Sequence, residues 1–230
     1  MPLQKRVKEH AVKLVGVVMT PADLRLAGQV SPPPDLFELR LDCLSSVKGF
    51  EQQARALPAP LIITARHPLE GGKNNLSPVS RRELLLQFLP IAKYVDVELR
   101  SAGSHRAVLD GANRSGVSTI ISFHDLEHTP QLGSLRAKAK RAAKLGARIF
   151  KVATRIDSPT QLARMIEFVS TAPPTLSISA MGIGKLGPVS RLALAQCGSR
   201  LIYTSLGRPR VEGQLGLNQF RSALRHLKYE

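Results

Sequence analysis

Short β-branched runs and helical apolar patterns alternate along the chain, with a polar turn between successive patterns. The runs fall at 13–19, 35–42, 60–67, 94–100, 117–124, 147–154, 174–181 and 200–206, and begin 22 to 34 residues apart. That spacing leaves room for one crossover helix each time, as in βαβ units of a parallel sheet. Thr20-Pro21, Ser77-Pro78 and Ser158-Pro159 each set a hydroxyl N-cap before a proline at the first helical position. Over 134–146, Leu135, Ala139, Ala142 and Ala143 recur on one face and Gly146 is placed to end the helix. A last helix near 216–227 is expected to bury Leu217, Phe220, Leu224 and Leu227. Eight such units predict an α/β protein, a (β/α)8 TIM barrel of eight parallel strands with crossover helices, as a single domain over 1–230, rather than an open doubly wound sheet. Pro32 to Pro34, Pro58 with Pro60, and Pro173 with Pro174 read as stiff entries into strands.

Strands of a parallel sheet are covered on both faces and normally read as continuous aliphatic runs. Several here alternate instead. In the second, Phe37, Leu39 and Leu41 share one face and Glu38, Arg40 and Asp42 the other. The fourth repeats this with Asp96, Glu98 and Arg100, the third ends in Arg66, the fifth in His124, and the sixth carries Lys151 between Phe150 and Val152. With the apolar set turned to the helices, the polar set faces the barrel axis. Glu38, Asp42, Asp96 and Glu98 then balance Arg40, Arg66, Arg100 and Lys151 in charge. Unpaired buried charges are costly, so these groups are expected to pair and, toward the strand C-termini where barrel chemistry sits, to serve a ligand. An internal salt bridge alone is the plainer role, above all for Asp96, nearer its strand's start.

A lysine on one strand beside a histidine on the next suits imine chemistry. The amine attacks a carbonyl only when neutral, a state that burial and neighbouring cations favour. The iminium acidifies the adjacent carbon, and a histidine is suited to move that proton. Lys151 and His124 are the candidates.

Composition narrows the classes. A chain of 230 residues with 43% hydrophobic and 22% charged residues is neither disordered nor a minimal disulfide scaffold. Cys43 and Cys197 lie far apart and outside any C-x-x-C pattern, which favours inert thiols in a reducing, cytoplasmic setting over a disulfide framework or zinc site. No apolar run approaches the roughly 20 residues of a membrane span. Lys5, Arg6, Lys8 and Lys13 precede only the short run 14–19, so residue 1 is read as the mature start. Lys plus Arg total 33 against 17 Asp plus Glu, a net charge of +16 that predicts attraction to polyanions or acidic ligands. Arg136, Lys138, Lys140, Arg141, Lys144 and Arg148 form a basic stripe, but with 4% aromatic residues no stacking platform accompanies it, and a solvated face fits better than a specific nucleic-acid surface.

Read in order, Phe37-Glu38-Leu39-Arg40, Thr64-Ala65-Arg66 with Glu70-Gly71-Gly72, Ser122-Phe123-His124-Asp125, Lys151, Met181-Gly182 with Ser190-Arg191, and Gly213-Gln214 resemble the type I 3-dehydroquinate dehydratase family. Each fragment is short; the ordered set is specific. The resemblance implies a cofactor-free Schiff-base lyase of the shikimate pathway, and so of aromatic amino acid biosynthesis, that converts 3-dehydroquinate to 3-dehydroshikimate, working as a homodimer. It gives Lys151 the imine, His124 the proton transfers and Glu70 the orientation of that histidine. Arg191 would take the substrate carboxylate, and Glu38, Arg40, Arg66 and Gln214 its hydroxyls and ring. Two positions depart from the family: Arg210 and Val17 stand where serines are usual. Arg210 has three readings: a second charge for the carboxylate, an outward-facing group, or a reshaped pocket. Other readings are a barrel that binds a quinate-like acid without turnover, a polyanion-binding protein, and a class I aldolase.

Three further motifs have plainer readings. Gly182-Ile183-Gly184-Lys185-Leu186-Gly187 fits G-x-G-x-x-G but lacks the acidic residue about 20 positions on, and is read as a flexible loop presenting Ser190 and Arg191. His124 and His128 flank two acids where a strand enters a loop, a poor metal site, with His128 facing solvent. Residues 69–76 are glycine-containing and are expected to form a mobile lid.

Overall fold

The computed structural model describes residues 12–44 and 49–227. The cationic residues Lys5, Arg6 and Lys8 and the reading of residue 1 lie outside these. Eight parallel strands run in the order β7-β6-β5-β4-β3-β2-β1-β8: β1 Lys13–Val18, β2 Leu36–Arg40, β3 Leu61–Thr64, β4 Tyr94–Glu98, β5 Ser118–Asp125, β6 Ile149–Arg155, β7 Ser177–Ile183 and β8 Leu201–Ser205. The helices among the described residues are α1 Pro21–Gln29, α2 Leu41–Leu44, α3 Phe50–Arg55, α4 Pro78–Phe88, α5 Arg106–Arg114, α6 Leu132–Lys144, α7 Pro159–Ser170, α8 Gly187–Gln196 and α9 Leu217–Leu227. Between β7 and β8 the barrel nearly closes. Arg200 N donates to Ile178 O (2.7 Å), Ser179 Oγ to Leu201 O (2.8 Å), and Ser199 Oγ both accepts from and donates to the Ala180 backbone.

All three predicted hydroxyl caps are present. Thr20 accepts from Asp23 N, Ser77 from Ser80 N, and Ser158 from Gln161 N in a complete capping box. In α6, Leu135, Ala139 and Ala142 are buried and Gly146 adopts φ +81°, as expected of the residue after a helix, but Ala143 is exposed. Eight residues on from Leu135 it has turned about 80° off the buried face. In α9, Leu217 and Phe220 are buried and Leu224 partly so, while the side chain of Leu227 lies outside the described residues.

The alternation in β2 and β4 works as predicted. Phe37, Leu39, Leu41, Val95 and Val97 face outward into the layer shared with the helices. Inside the barrel, Val15, Leu36, Ile62, Ile120, Ile149 and Leu201 belong to a separate apolar cluster. Two residues on from Leu36, Ile62, Tyr94, Ile120, Ile149 and Leu201, toward the C-terminal ends, stand Glu38, Thr64, Asp96, Ser122, Lys151 and Tyr203, all buried. An aliphatic plug thus lies beneath a polar layer that holds the charged Glu38, Asp96 and Lys151.

Candidate active site

Lys151 reaches the barrel axis from β6 and is 3% exposed. Its Nζ donates to Glu38 Oε1 of β2 (2.8 Å) and Asp96 Oδ2 of β4 (2.9 Å), and lies 3.8 Å from the centre of the Tyr203 ring of β8. Cations were the neighbours expected around this amine. The structure surrounds it with two carboxylates and an aromatic face instead, all of which attract an ammonium. Despite its burial, Lys151 and Arg66 hold Asp96 below the usual carboxylate range. Asp96 is therefore part of the lysine's immediate setting, through an ion pair that fits an internal salt bridge as well as a ligand-serving role.

On the neighbouring strand, His124 is clasped from both sides. Its Nδ1 lies 2.8 Å from Glu70 Oε2, which also accepts from the His124 backbone N–H at 3.0 Å. Its Nε2 meets Arg66 Nη1. A carboxylate at Nδ1 and a guanidinium at Nε2 together select the tautomer with the proton on Nδ1 and the lone pair on Nε2. Burial, with Arg66, Lys151 and Arg40 near, keeps His124 well below the usual imidazole range, so the ring is neutral. Burial and Glu98 push Glu70 up to about 7, against the pull of Arg66 and Arg100.

Arg66 links the two halves, with Nη1 at His124 and Nη2 3.4 Å from Asp96 Oδ2. Behind it, Glu98 Oε1 lies 3.3 Å from Arg66 Nε, and Glu98 Oε2 3.3 Å from Arg81 Nη1 of α4. Sequence reasoning did not single out Arg81, which is 1% exposed. Its signal was helical phase, because Arg81, Leu85 and Phe88 share the buried face of α4. Tyr203 was missed likewise, although period two in β8 puts it on the inner face with Leu201 and Ser205. Arg100, expected inside, instead stands at the rim with its side chain 45% exposed.

The other predicted site residues are distributed around this cluster. Arg40 makes a fork to Asp42 (2.8 and 2.7 Å) and donates to Gly71 O (3.2 Å). Asp42 also accepts from Lys73 N, and its carbonyl from Asn74 Nδ2. The 69–76 segment, expected to move freely, is thus tied to the end of β2. Arg191, at the start of α8, is 2% exposed and donates to Tyr203 O (2.9 Å). Among the described residues it pairs with no carboxylate, and burial lowers it to about 10. Gln214, in the loop after β8, accepts from Arg210 N (3.3 Å). Arg210 takes the outward course, its Nε 3.6 Å from Asp23 Oδ2 and its Nη2 3.4 Å from Thr20 Oγ1. Val17 lines the inner apolar cluster.

The glycine motif after β7 marks close approach, not a flexible loop. A Cβ on Gly182 would fall 2.2 Å from Ser190 Oγ, and one on Gly187 2.7 Å from the Gly213 Cα. Ser190 and Arg191 are accordingly held in α8 as its fourth and fifth residues. His128 faces solvent. Among the described residues no cluster of three His, Cys, Asp or Glu side chains is gathered to hold a metal, and no helix is long and apolar enough to cross a membrane. The Cys43 and Cys197 thiols are both pushed up by burial, Cys43 to about 11.

The family profile of type I 3-dehydroquinase matches residues 10–230. A 3-dehydroquinate dehydratase of Pyrococcus abyssi is 33% identical over 198 residues, 86% of this chain and 89% of its own. One from Thermococcus onnurineus is 31% identical over 216 residues, 92% of this chain and 96% of its own. The crystal structure of a 3-dehydroquinate dehydratase from Geobacillus kaustophilus superposes with a TM-score of 0.85 at 25% identity, covering 94% of this chain and 91% of that one.

Proposed function

The chain belongs to the type I 3-dehydroquinase family, and from that premise we infer how its barrel mouth dehydrates 3-dehydroquinate to 3-dehydroshikimate. The Lys151 amine adds to the substrate ketone and water leaves, giving an imine whose positive nitrogen withdraws electrons from the neighbouring carbon. The amine attacks only when neutral, and Glu38 and Asp96 are the carboxylates in contact with it. His124 Nε2 then takes the proton from that carbon and returns one to the hydroxyl that departs as water. Hydrolysis of the product imine frees Lys151.

Arg66 occupies Nε2 in the free enzyme. The substrate must displace it, and the released guanidinium is then beside the ring to hold a hydroxyl. Arg191 supports the carboxylate role, because a buried guanidinium with no acid partner among the described residues favours an anionic ligand. Gln214 and Arg40 stand at the rim for the remaining hydroxyls. The position of Arg210 favours a tether between the loop after β8 and the start of α1 over a direct substrate contact. We further propose that the whole chain is one domain and that the enzyme is a cytoplasmic homodimer. Light scattering that returned the monomer mass would overturn the dimer.

One observation carries this reading: Lys151 Nζ lies in the barrel interior, and Arg66 bridges its partner Asp96 and His124. Borohydride reduction with 3-dehydroquinate, followed by peptide mass analysis, tests it. A reduced adduct on Lys151 is expected; an unmodified Lys151 in active, folded enzyme removes the imine mechanism.

A further inference from the structure

We propose that Arg100, in the turn after β4 at the barrel mouth, is a positioning residue that keeps the Glu70–His124 pair in its proton-accepting form. The inference rests on the acid–base role given to that pair above. The two Glu70 oxygens do different work. Oε2 accepts both hydrogen bonds from His124, whereas Oε1 lies 3.3 Å from Arg100 Nε. The Glu70 side chain is 3% exposed and that of Arg100 45%, so the cation reaches in from solvent to a carboxylate buried beneath it.

The other charged groups around Glu70 have partners of their own, although Arg66 also lowers it. Arg40 of β2 is forked onto Asp42 and touches the segment only through Gly71 O. Arg66, following β3, is shared among Asp96, Glu98 and Glu38. Glu98 of β4 is a like charge, and His124 of β5 is neutral. Among the described residues, Arg100 is the one arginine or lysine that forms an ion pair with Glu70.

Glu70 and His124 share protons and titrate as a unit. With the pair unprotonated, Nδ1–H points at Glu70 and Nε2 is free to accept from the substrate carbon. One added proton removes that lone pair, either directly on Nε2 or on Glu70, whose O–H then donates to Nδ1 while the ring proton moves to Nε2. A cation at Oε1 opposes the added proton, while Glu98 invites it. Because Arg100 is half exposed, its influence is screened by salt.

The test is the pH–rate profile of wild type, Arg100→Gln and Arg100→Lys at low and high salt, with borohydride trapping of Lys151 run in parallel. In Arg100→Gln the acid limb is expected about 0.5–1 pH unit higher. That is a loss of about 3- to 10-fold on the acidic side, shrinking as pH rises, and Arg100→Lys should restore most of it. Salt should move the wild-type limb the same way and leave that of Arg100→Gln nearly still. A limb that stays put, or a loss equal at every pH, overturns the proposal. If Lys151 is trapped and the limb does not move, the fault lies with Arg100; if Lys151 is not trapped, it lies with the reaction itself.

Discussion

Glu70 holds His124 at two points through one oxygen, accepting from the backbone N–H at 3.0 Å and from ring Nδ1 at 2.8 Å. The double contact fixes both ring position and tautomer. It works only while Glu70 is a carboxylate, and burial pushes Glu70 up to about 7. As pH falls through that value the pair gains a proton and Nε2 loses its accepting role. Activity should therefore rise with pH through about 7. Glu70→Gln keeps an oxygen for the two donors but cannot ionise. A kcat lower by about 10²-fold and a profile without this limb are expected; steady-state rates between pH 5 and 9 check both.

In the proposed mechanism His124 acts after the imine forms and not in its formation. Replacing it by Asn should lower kcat by about 10²–10⁴-fold while borohydride with 3-dehydroquinate still labels Lys151. Loss of labelling in the folded variant would place the imidazole at an earlier step, in opening the amine to attack.

Among the described residues Arg191 is buried without an acid partner, and the proposed function gives its charge to the substrate carboxylate. Arg191→Leu should raise KM by about 10- to 100-fold. Arg191→Lys keeps the charge but loses the planar fork that also reaches Tyr203 O, and should fall between. An unchanged KM in Arg191→Leu would locate carboxylate recognition elsewhere, with Arg210 the next residue to replace.

Much of this was legible because it rests on local rules. Thr20, Ser77 and Ser158 declared their helices through a hydroxyl before a proline, and Glu38, Arg40, Asp96 and Glu98 declared an ionic barrel interior by falling on the wrong phase for a parallel strand. What escaped depended on groups far apart in sequence. The surroundings of Lys151 were misjudged because Glu38 and Asp96 reach it across the barrel, from 113 and 55 residues away. Arg81 joins the cluster from a helix, and nothing local distinguishes a buried arginine from a solvated one. Arg210 and Arg100 sit on loops, whose side-chain directions no periodicity dictates.

The glycines after β7 were misread for the same reason, and they give a stability test with opposite signs. Gly187 and Gly213 touch backbone to backbone: a Cβ on Gly187 would come 2.7 Å from the Gly213 Cα, and Gly213 adopts φ +77°. Neither backbone can yield like a flexible side chain, so Gly187→Ala is expected to destabilise the fold by about 1–3 kcal/mol. Gly213→Ala adds left-handed strain to the same clash and should cost at least as much. Gly28, in α1, has nothing within 4 Å of the position a Cβ would take. There alanine removes only backbone freedom, and Gly28→Ala should stabilise by about 0.5–1 kcal/mol. Urea unfolding of the three variants measures all of this. Equal stabilities for Gly187→Ala and Gly28→Ala would mean that the contact between the α8 start and the loop carrying Gln214 is loose in solution.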